Sequence, residues 1–155
     1  MLTLHYELIV RGATTGVASK ILVPVDGSDN SRRALEKAAS IADGASITIV
    51  HVIDMPPTVY VESQKLLNQL LENYRKESAK VLDEFDDIAK NRGIKVDTAI
   101  LEGDAAESIV EYADKNGFDM IVMGSRGMGK IKGAFLGSVS SKVLQHAKAS
   151  VLIVK

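Results

Sequence analysis

Five short apolar runs, at 20–25, 46–53, 95–101, 118–123 and 150–155, are separated by stretches in which apolar residues recur every three or four positions. No other feature constrains the fold as strongly. Parallel strands need a crossover between them, usually a helix, so this alternation predicts a parallel sheet covered by helices. Several runs are apolar at nearly every position, as strands buried on both faces must be. The helical patterns fall at 29–43, 61–91, 104–116 and 137–146. The 155 residues fit one domain. Residues 19–155 carry the repeating βα pattern, and 1–18 precede it as an arm.

The helix ends are marked. Asp104 and Glu107 have capping-box spacing, and Gly44, Gly93 and Gly117 stand where helices stop in a left-handed conformation. In the long second helix, Leu67, Leu70, Tyr74, Val81, Phe85 and Ile88 read as one core-facing stripe. Met55-Pro56-Pro57-Thr58 opens a loop after the second strand. Leu4, Tyr6 and Leu8 alternate like a strand, so the arm adds an edge strand, packs on a partner or stays loose. The residues leave these three open.

Composition removes whole classes of function. Nineteen basic against twenty acidic residues advertise neither nucleic acid nor an anionic membrane. The absence of cysteine removes disulfides, thiol chemistry and the usual soft zinc ligands. No signal-peptide pattern opens the chain, and no apolar stretch approaches the ~20 residues of a membrane helix. A soluble, cytoplasmic protein is expected.

The informative segment is Gly124-Ser125-Arg126-Gly127, nine further residues, then Gly137-Ser138. It begins where the fourth strand ends and closes where the last helix starts. Ligands of open parallel sheets sit beyond the carboxyl ends of the strands, where strand order reverses. Glycines there admit a phosphate to the backbone, and Gly137-Ser138-Val139-Ser140 offers the same anion the unpaired N–H groups of a helix start. Arg126 adds a charge. The same glycines also fit a plain surface loop, but their position between a buried strand and a helix start favours phosphate. Two familiar phosphate motifs fail. Gly124, Gly129 and Lys130 have P-loop spacing, yet Ile131 stands in the Ser/Thr position. Gly127 and Gly129 begin a dinucleotide fingerprint, yet Lys132 replaces its third glycine.

A second constellation ends the first strand, Val23-Pro24-Val25-Asp26-Gly27-Ser28. Asp26 falls where a carboxylate reaches a ribose hydroxyl or a metal. A capping or turn aspartate fits equally well.

These segments resemble the universal stress protein family. The resemblance rests on Ile21-Leu22-Val23-Pro24-Val25-Asp26-Gly27-Ser28, on His51-Val52-Ile53-Asp54, on Val151-Leu152-Ile153-Val154, and on the spacing G-x2-G-x9-G-[ST] met by Gly124, Gly127, Gly137 and Ser138. It covers about 19–155. That glycine spacing separates the ATP-binding branch from members lacking nucleotide. The resemblance implies an open five-stranded sheet of order 3-2-1-4-5, with ATP at the switch between strands one and four. It further implies Asp26 at the ribose or adenine, Pro24 and Val25 on the floor, and Val52 touching adenine through its backbone. Met123, Gly124, Arg126 and Gly127 would surround ribose and phosphates, with Gly137, Ser138, Val139 and Ser140 on the phosphate chain. Mg2+ or Mn2+ would ride on the phosphates, with Asp26 the one nearby carboxylate.

Catalysis is not written in the residues. Hydrolysis needs a positioned water and stabilised phosphoryl charge, and His5, His51 and His146 are scattered. His51, on a strand, reads as a satisfied core histidine. Lys130 and Lys132 read as solvated loop lysines. The expectation is a nucleotide-dependent sensor or switch in stress response, with slow ATP hydrolysis at most, acting on an unidentified protein partner. Competing readings are a fold-related pyrophosphatase or nucleotidyltransferase, whose signature motifs are missing, and an interaction module with an empty pocket. A phosphoacceptor domain would need an aspartate where Leu101-Glu102-Gly103 stands. Finally, Val151, Leu152, Ile153 and Val154 form an edge strand in the order 3-2-1-4-5, which predicts a homodimer paired through it unless the arm covers it.

Overall fold

The structure, a computed structural model, describes residues 9–11, 18–54, 63–128 and 135–155. Its elements are β1 (Ile9–Arg11), β2 (Lys20–Pro24), α1 (Asp29–Ile41), β3 (Ser46–Asp54), α2 (Gln64–Asn91), β4 (Val96–Gly103), α3 (Ala105–Lys115), β5 (Met120–Gly124), α4 (Ser138–His146) and β6 (Ser150–Val154). They build one sheet of order β1-β6-β5-β2-β3-β4. Strands β2 to β6 are parallel and, counted among themselves, follow the expected order 3-2-1-4-5.

The two-residue period of the strands sorts the core into two layers. Ile21, Val23, Ile47, Ile49, Val122 and Leu152 pack with Ala34, Leu35 and Ala38 of α1 and Leu82, Phe85 and Ala89 of α2. Their alternates Leu22, Val50, Ile121, Val151 and Ile153 pack with Ala106, Ile109 and Ala113 of α3 and Val143 of α4. Burying each large aliphatic or Phe side chain contributes about 1.5–3 kcal/mol against its exposure. At the amino end of the sheet, Asp119 Oδ2 accepts from Ser19 N at 2.9 Å, Ser19 Oγ at 2.7 Å and Lys20 N at 2.9 Å. These bonds hold the Asp119 carboxyl below its ordinary pKa and fix where β2 enters.

Three expectations change. First, the outer edge of β6 carries β1, antiparallel, with Ile9 opposite Ile153 and Arg11 opposite Val151. Of the three alternatives for the arm, the structure has the edge strand, which pairs the outer edge of β6 at Val151, Leu152 and Ile153. The alternating Leu4, Tyr6 and Leu8 lie outside the described residues, as do Met55–Thr58. Second, β4 runs to Gly103, beyond the apolar run, because its ladder with β3 continues to Asp54 opposite Gly103. Backbone pairing at an edge does not require apolar side chains. Third, the α2 stripe is shorter than its sequence. Its buried positions are Ser78, Leu82, Phe85 and Ala89, and Tyr74 is 40% exposed. A 28-residue helix is about 42 Å long, whereas the nine residues of β3 span about 30 Å. The amino-terminal half of α2 outruns the sheet.

The helix ends are as read. Gly44, Gly93 and Gly117 have φ of +88°, +72° and +66°, and Asp104 accepts from Glu107 N at 3.0 Å. Among the described residues, no helix is long and apolar enough to cross a membrane.

Candidate functional site

Strand order reverses between β2 and β5. The chain leaves β2 through α1 to reach β3 on one side, and β5 flanks β2 on the other. The crevice beyond their carboxyl ends holds a cavity of about 330 Å3. All twelve residues singled out in the sequence line it: Pro24, Val25, Asp26, Val52, Met123, Gly124, Arg126, Gly127 and Gly137 through Ser140. The layer of α1 and α2 supplies one wall, with Ser31 and His51. The layer of α3 and α4 supplies the other, with Ala105, Ile109, Leu136 and the start of α4.

The two helix starts beside the cavity are finished differently. At α1, Ser28 caps with its side chain, accepting from Ser31 N at 3.2 Å, and Asp26 Oδ1 accepts from Ser28 N at 3.0 Å. At α4 the cap is Gly137, which offers no side-chain acceptor. The amides of Ser138, Val139 and Ser140 therefore lack an intrahelical partner and a side-chain cap, and they point their partial positive charge along the helix axis toward the cavity. Ser140 is not available as a donor in the same way. Its hydroxyl donates to Ser125 O at 2.7 Å, and Gly137 N donates to the same carbonyl at 2.7 Å. These two bonds seat the loop after β5 on the start of α4.

The glycines have neighbours that sequence reasoning did not foresee. A Cβ on Gly124 would lie 2.8 Å from Asn30 Cβ and 2.9 Å from its carbonyl carbon, so this glycine admits the first turn of α1. A Cβ on Gly127 would lie 2.5 Å from Asp26 Oδ2. That oxygen accepts from Met128 N at 3.0 Å. Asp26 therefore ties the β2 loop to the glycine loop through its carboxylate, as well as facing the cavity. The turn reading and the ligand reading of Asp26 are compatible in one geometry. Asn30 Nδ2 donates to Arg126 O at 3.2 Å, which fixes the backbone of Arg126 while its side chain remains exposed.

Sequence reasoning missed Ser31, Val50, Ala105, Ile109, Met128 and Leu136, and took His51 for a core residue. Ala105 and Ile109 are one turn apart on α3, but only the sheet order shows which crevice that turn faces. His51 Nδ1 lies 3.0 Å from Ser78 Oγ, so the histidine is satisfied, and it also lines the cavity. Burial pushes its pKa down, offset in part by the Asp26 carboxylate. Gly129, Lys130 and Lys132 lie outside the described residues. Among the described residues no three His, Cys, Asp or Glu side chains gather as a metal site.

Comparison with known proteins agrees with this architecture. The model of the universal stress protein family matches residues 18–155. A universal stress protein of Methanocaldococcus jannaschii is 36% identical over 88% of this chain and 81% of its own. The solved universal stress protein UspA of Lactobacillus plantarum superposes with a TM-score of 0.77 at 28% identity, over 88% of this chain and 97% of that one. A universal stress protein solved in complex with cAMP superposes at 0.65 with 29% identity, over 90% and 98%. With its family model matched from the first residues of β2 to the last of β6, and its sheet in the same order, this chain belongs to the universal stress protein family.

Proposed function

We propose that the cavity binds an adenine nucleotide, ATP in preference, and that the protein is a nucleotide-dependent sensor or switch of the stress response. One observation carries the reading. A single cavity at the point of strand reversal combines the uncapped start of α4 with the Asp26 carboxylate and a largely apolar lining. Phosphates suit the first, hydroxyls or a base edge the second, and a flat base the third. Its volume suits a mononucleotide.

The polar side chains on the described lining are Asp26, Ser31, His51, Arg126, Ser138 and Ser140. Ser31 donates its hydroxyl to Ser28 O at 2.8 Å, and Ser140 is bonded to the loop. Of the remainder, His51 is held by Ser78 of α2, and Asp26 bonds the amides of Ser28 and Met128. The ATP turnover we propose is slow at most, since hydrolysis also needs a positioned water and stabilised phosphoryl charge. Among the described residues, Asp26 is the single carboxylate on the lining, and no cluster suits a resident metal. A divalent ion would be carried by the phosphates, with Asp26 its single carboxylate, and no step is routed through it.

A second reading, a cyclic nucleotide as ligand, is favoured by the relative solved with cAMP. Mass spectrometry of the purified, denatured protein distinguishes the readings. Retained ATP or ADP supports the first and cAMP the second. A preparation free of nucleotide that takes up neither ATP nor cAMP would leave an interaction module with an empty pocket.

The homodimer through Val151–Val154 is proposed in a restricted form, because a second copy must displace Ile9–Arg11 from β6. A chain beginning at Ser19 should then self-associate more strongly than the whole chain in sedimentation. Equal behaviour of both would argue against any role of this edge.

A further inference from the structure

In β3, Val50 and Val52 pack with the layer of α3 and α4, and Ile47 and Ile49 with that of α1 and α2. The alternation sends position 51 toward α2, where an aliphatic residue would extend the core. An imidazole stands there instead. Opposite it, the buried stripe of α2, at 78, 82, 85 and 89, begins with a serine only 2% exposed. Two polar residues thus replace two apolar ones at facing positions, and they bond to each other, His51 Nδ1 to Ser78 Oγ at 3.0 Å. Each is the other's side-chain partner among the described residues.

The pair does more than satisfy itself. His51 Nε2 has no partner among the described residues, and no buried side-chain nitrogen or oxygen there lacks one. Nε2 is therefore accessible, and His51 is among the residues that line the cavity. A ring whose one nitrogen is held and whose other is free has a fixed direction, and the tautomer in which Nδ1 accepts from the Ser78 hydroxyl leaves Nε2–H as a donor. Asp26, the charged group that acts on this ring, already accepts one amide at each carboxylate oxygen and is an acceptor only. With Nδ1 accepting from Ser78, His51 offers a donor beside this acceptor.

We propose that His51 is a ligand-positioning residue, Nε2 hydrogen-bonding the nucleoside portion of the bound nucleotide while Ser78 holds the ring through Nδ1. The inference rests on the nucleotide reading of the cavity and assigns a contact within it. The phosphates belong to the opposite wall, with the start of α4, so His51 acts on affinity for the nucleoside alone.

Calorimetry with ATP and with tripolyphosphate, a phosphate-only probe, separates these parts. His51→Leu should weaken ATP binding about tenfold, His51→Gln should restore most of it through its side-chain amide, and tripolyphosphate should bind all three proteins alike. Ser78→Ala should fall between parent and His51→Leu. Should His51→Leu fail to fold, imidazole 15N shifts of the parent decide, with Nε2 moving on ATP addition and Nδ1 nearly still. Parent-like ATP affinity in His51→Leu, or an Nε2 signal unmoved at saturating ATP, overturns the assignment and leaves the nucleotide reading intact. A parent protein that takes no ATP overturns both.

Discussion

Two helices begin beside the same cavity, and they differ in what their first turns leave unbonded. Helix α1 starts from Asp26-Gly27-Ser28, where Ser28 caps the helix and Asp26 takes the amide of the cap itself. Helix α4 starts from Gly137-Ser138, and nothing in its own chain caps it with a side chain. A helix start whose cap already takes one of its first-turn amides, Ser31 N, offers an anion less. One left open offers amide donors at a fixed place, with no side chain to reorganise. On the proposed reading the phosphates therefore go to α4, although both helices point at the crevice.

The strongest way to break this contrast is to give α4 the cap it lacks. In Gly137→Asp, the new carboxylate would accept from the first-turn amides and place a negative charge where the phosphates sit. ATP affinity should fall by more than about a hundredfold, while the ligand-free protein gains up to about 1 kcal/mol from the cap. The Cβ would meet Arg126 Cα at 3.4 Å, a tight but tolerable contact. Calorimetry and melting, read together, check both signs. A variant that is stabilised and still binds would place the phosphates elsewhere.

Next in size is the contact between Gly127 and Asp26. Asp26→Ala should weaken ATP about tenfold, equivalent to ~1.4 kcal/mol for a charged hydrogen bond. Gly127→Ala should cost a similar factor, because its Cβ would displace Asp26 Oδ2. The double variant should bind no worse than either single one, since the residues in collision share one effect. Additive losses would mean that Gly127 meets the ligand directly.

The complementary test at α1 should change stability and leave binding alone. Ser28→Ala removes the cap and should cost about 1 kcal/mol, with ATP affinity within twofold of the parent. A tenfold loss of affinity would mean that the α1 start also contributes to the site.

The smallest effect is on pH. The folded His51 has its pKa below the ordinary ~6.5, so the unfolded chain binds the proton more readily. The stability linked to this residue is present above about pH 6.5 and is lost as pH falls toward and through the folded value. His51→Gln should flatten the pH dependence of the melting temperature in that range. Asp104 and Asp119, whose pKa values are lowered, act only further down, their contribution being lost as pH drops below ~4. An unchanged slope in His51→Gln would assign the acid sensitivity to other groups.

The parallel order and the crevice were legible because buried strands must be apolar, and because Gly124, Gly127 and Gly137 fall at a strand end and a helix start. The reason for two of those glycines was not. Gly124 is required by Asn30 and Gly127 by Asp26, partners about 100 residues away in sequence, and spacing carries no information about such distances. His51 is satisfied, as read, but its place on the cavity was not legible for a related reason. Alternation gives its direction but not the length of α2 or the serine that α2 brings opposite it. The arm posed the same difficulty, since three residues of strand register have a weak pattern until β6 is there to pair with them.

Backbone amide NMR during an ATP titration decides whether nucleotide phosphates meet the open start of α4. The account expects saturable shifts at Ser138, Val139 and Ser140 and in the loop from Ser125 to Gly127, with Ser31 at the first turn of α1 moving little. Shifts that never saturate, or that saturate at the start of α1 while the α4 amides stay still, would contradict it.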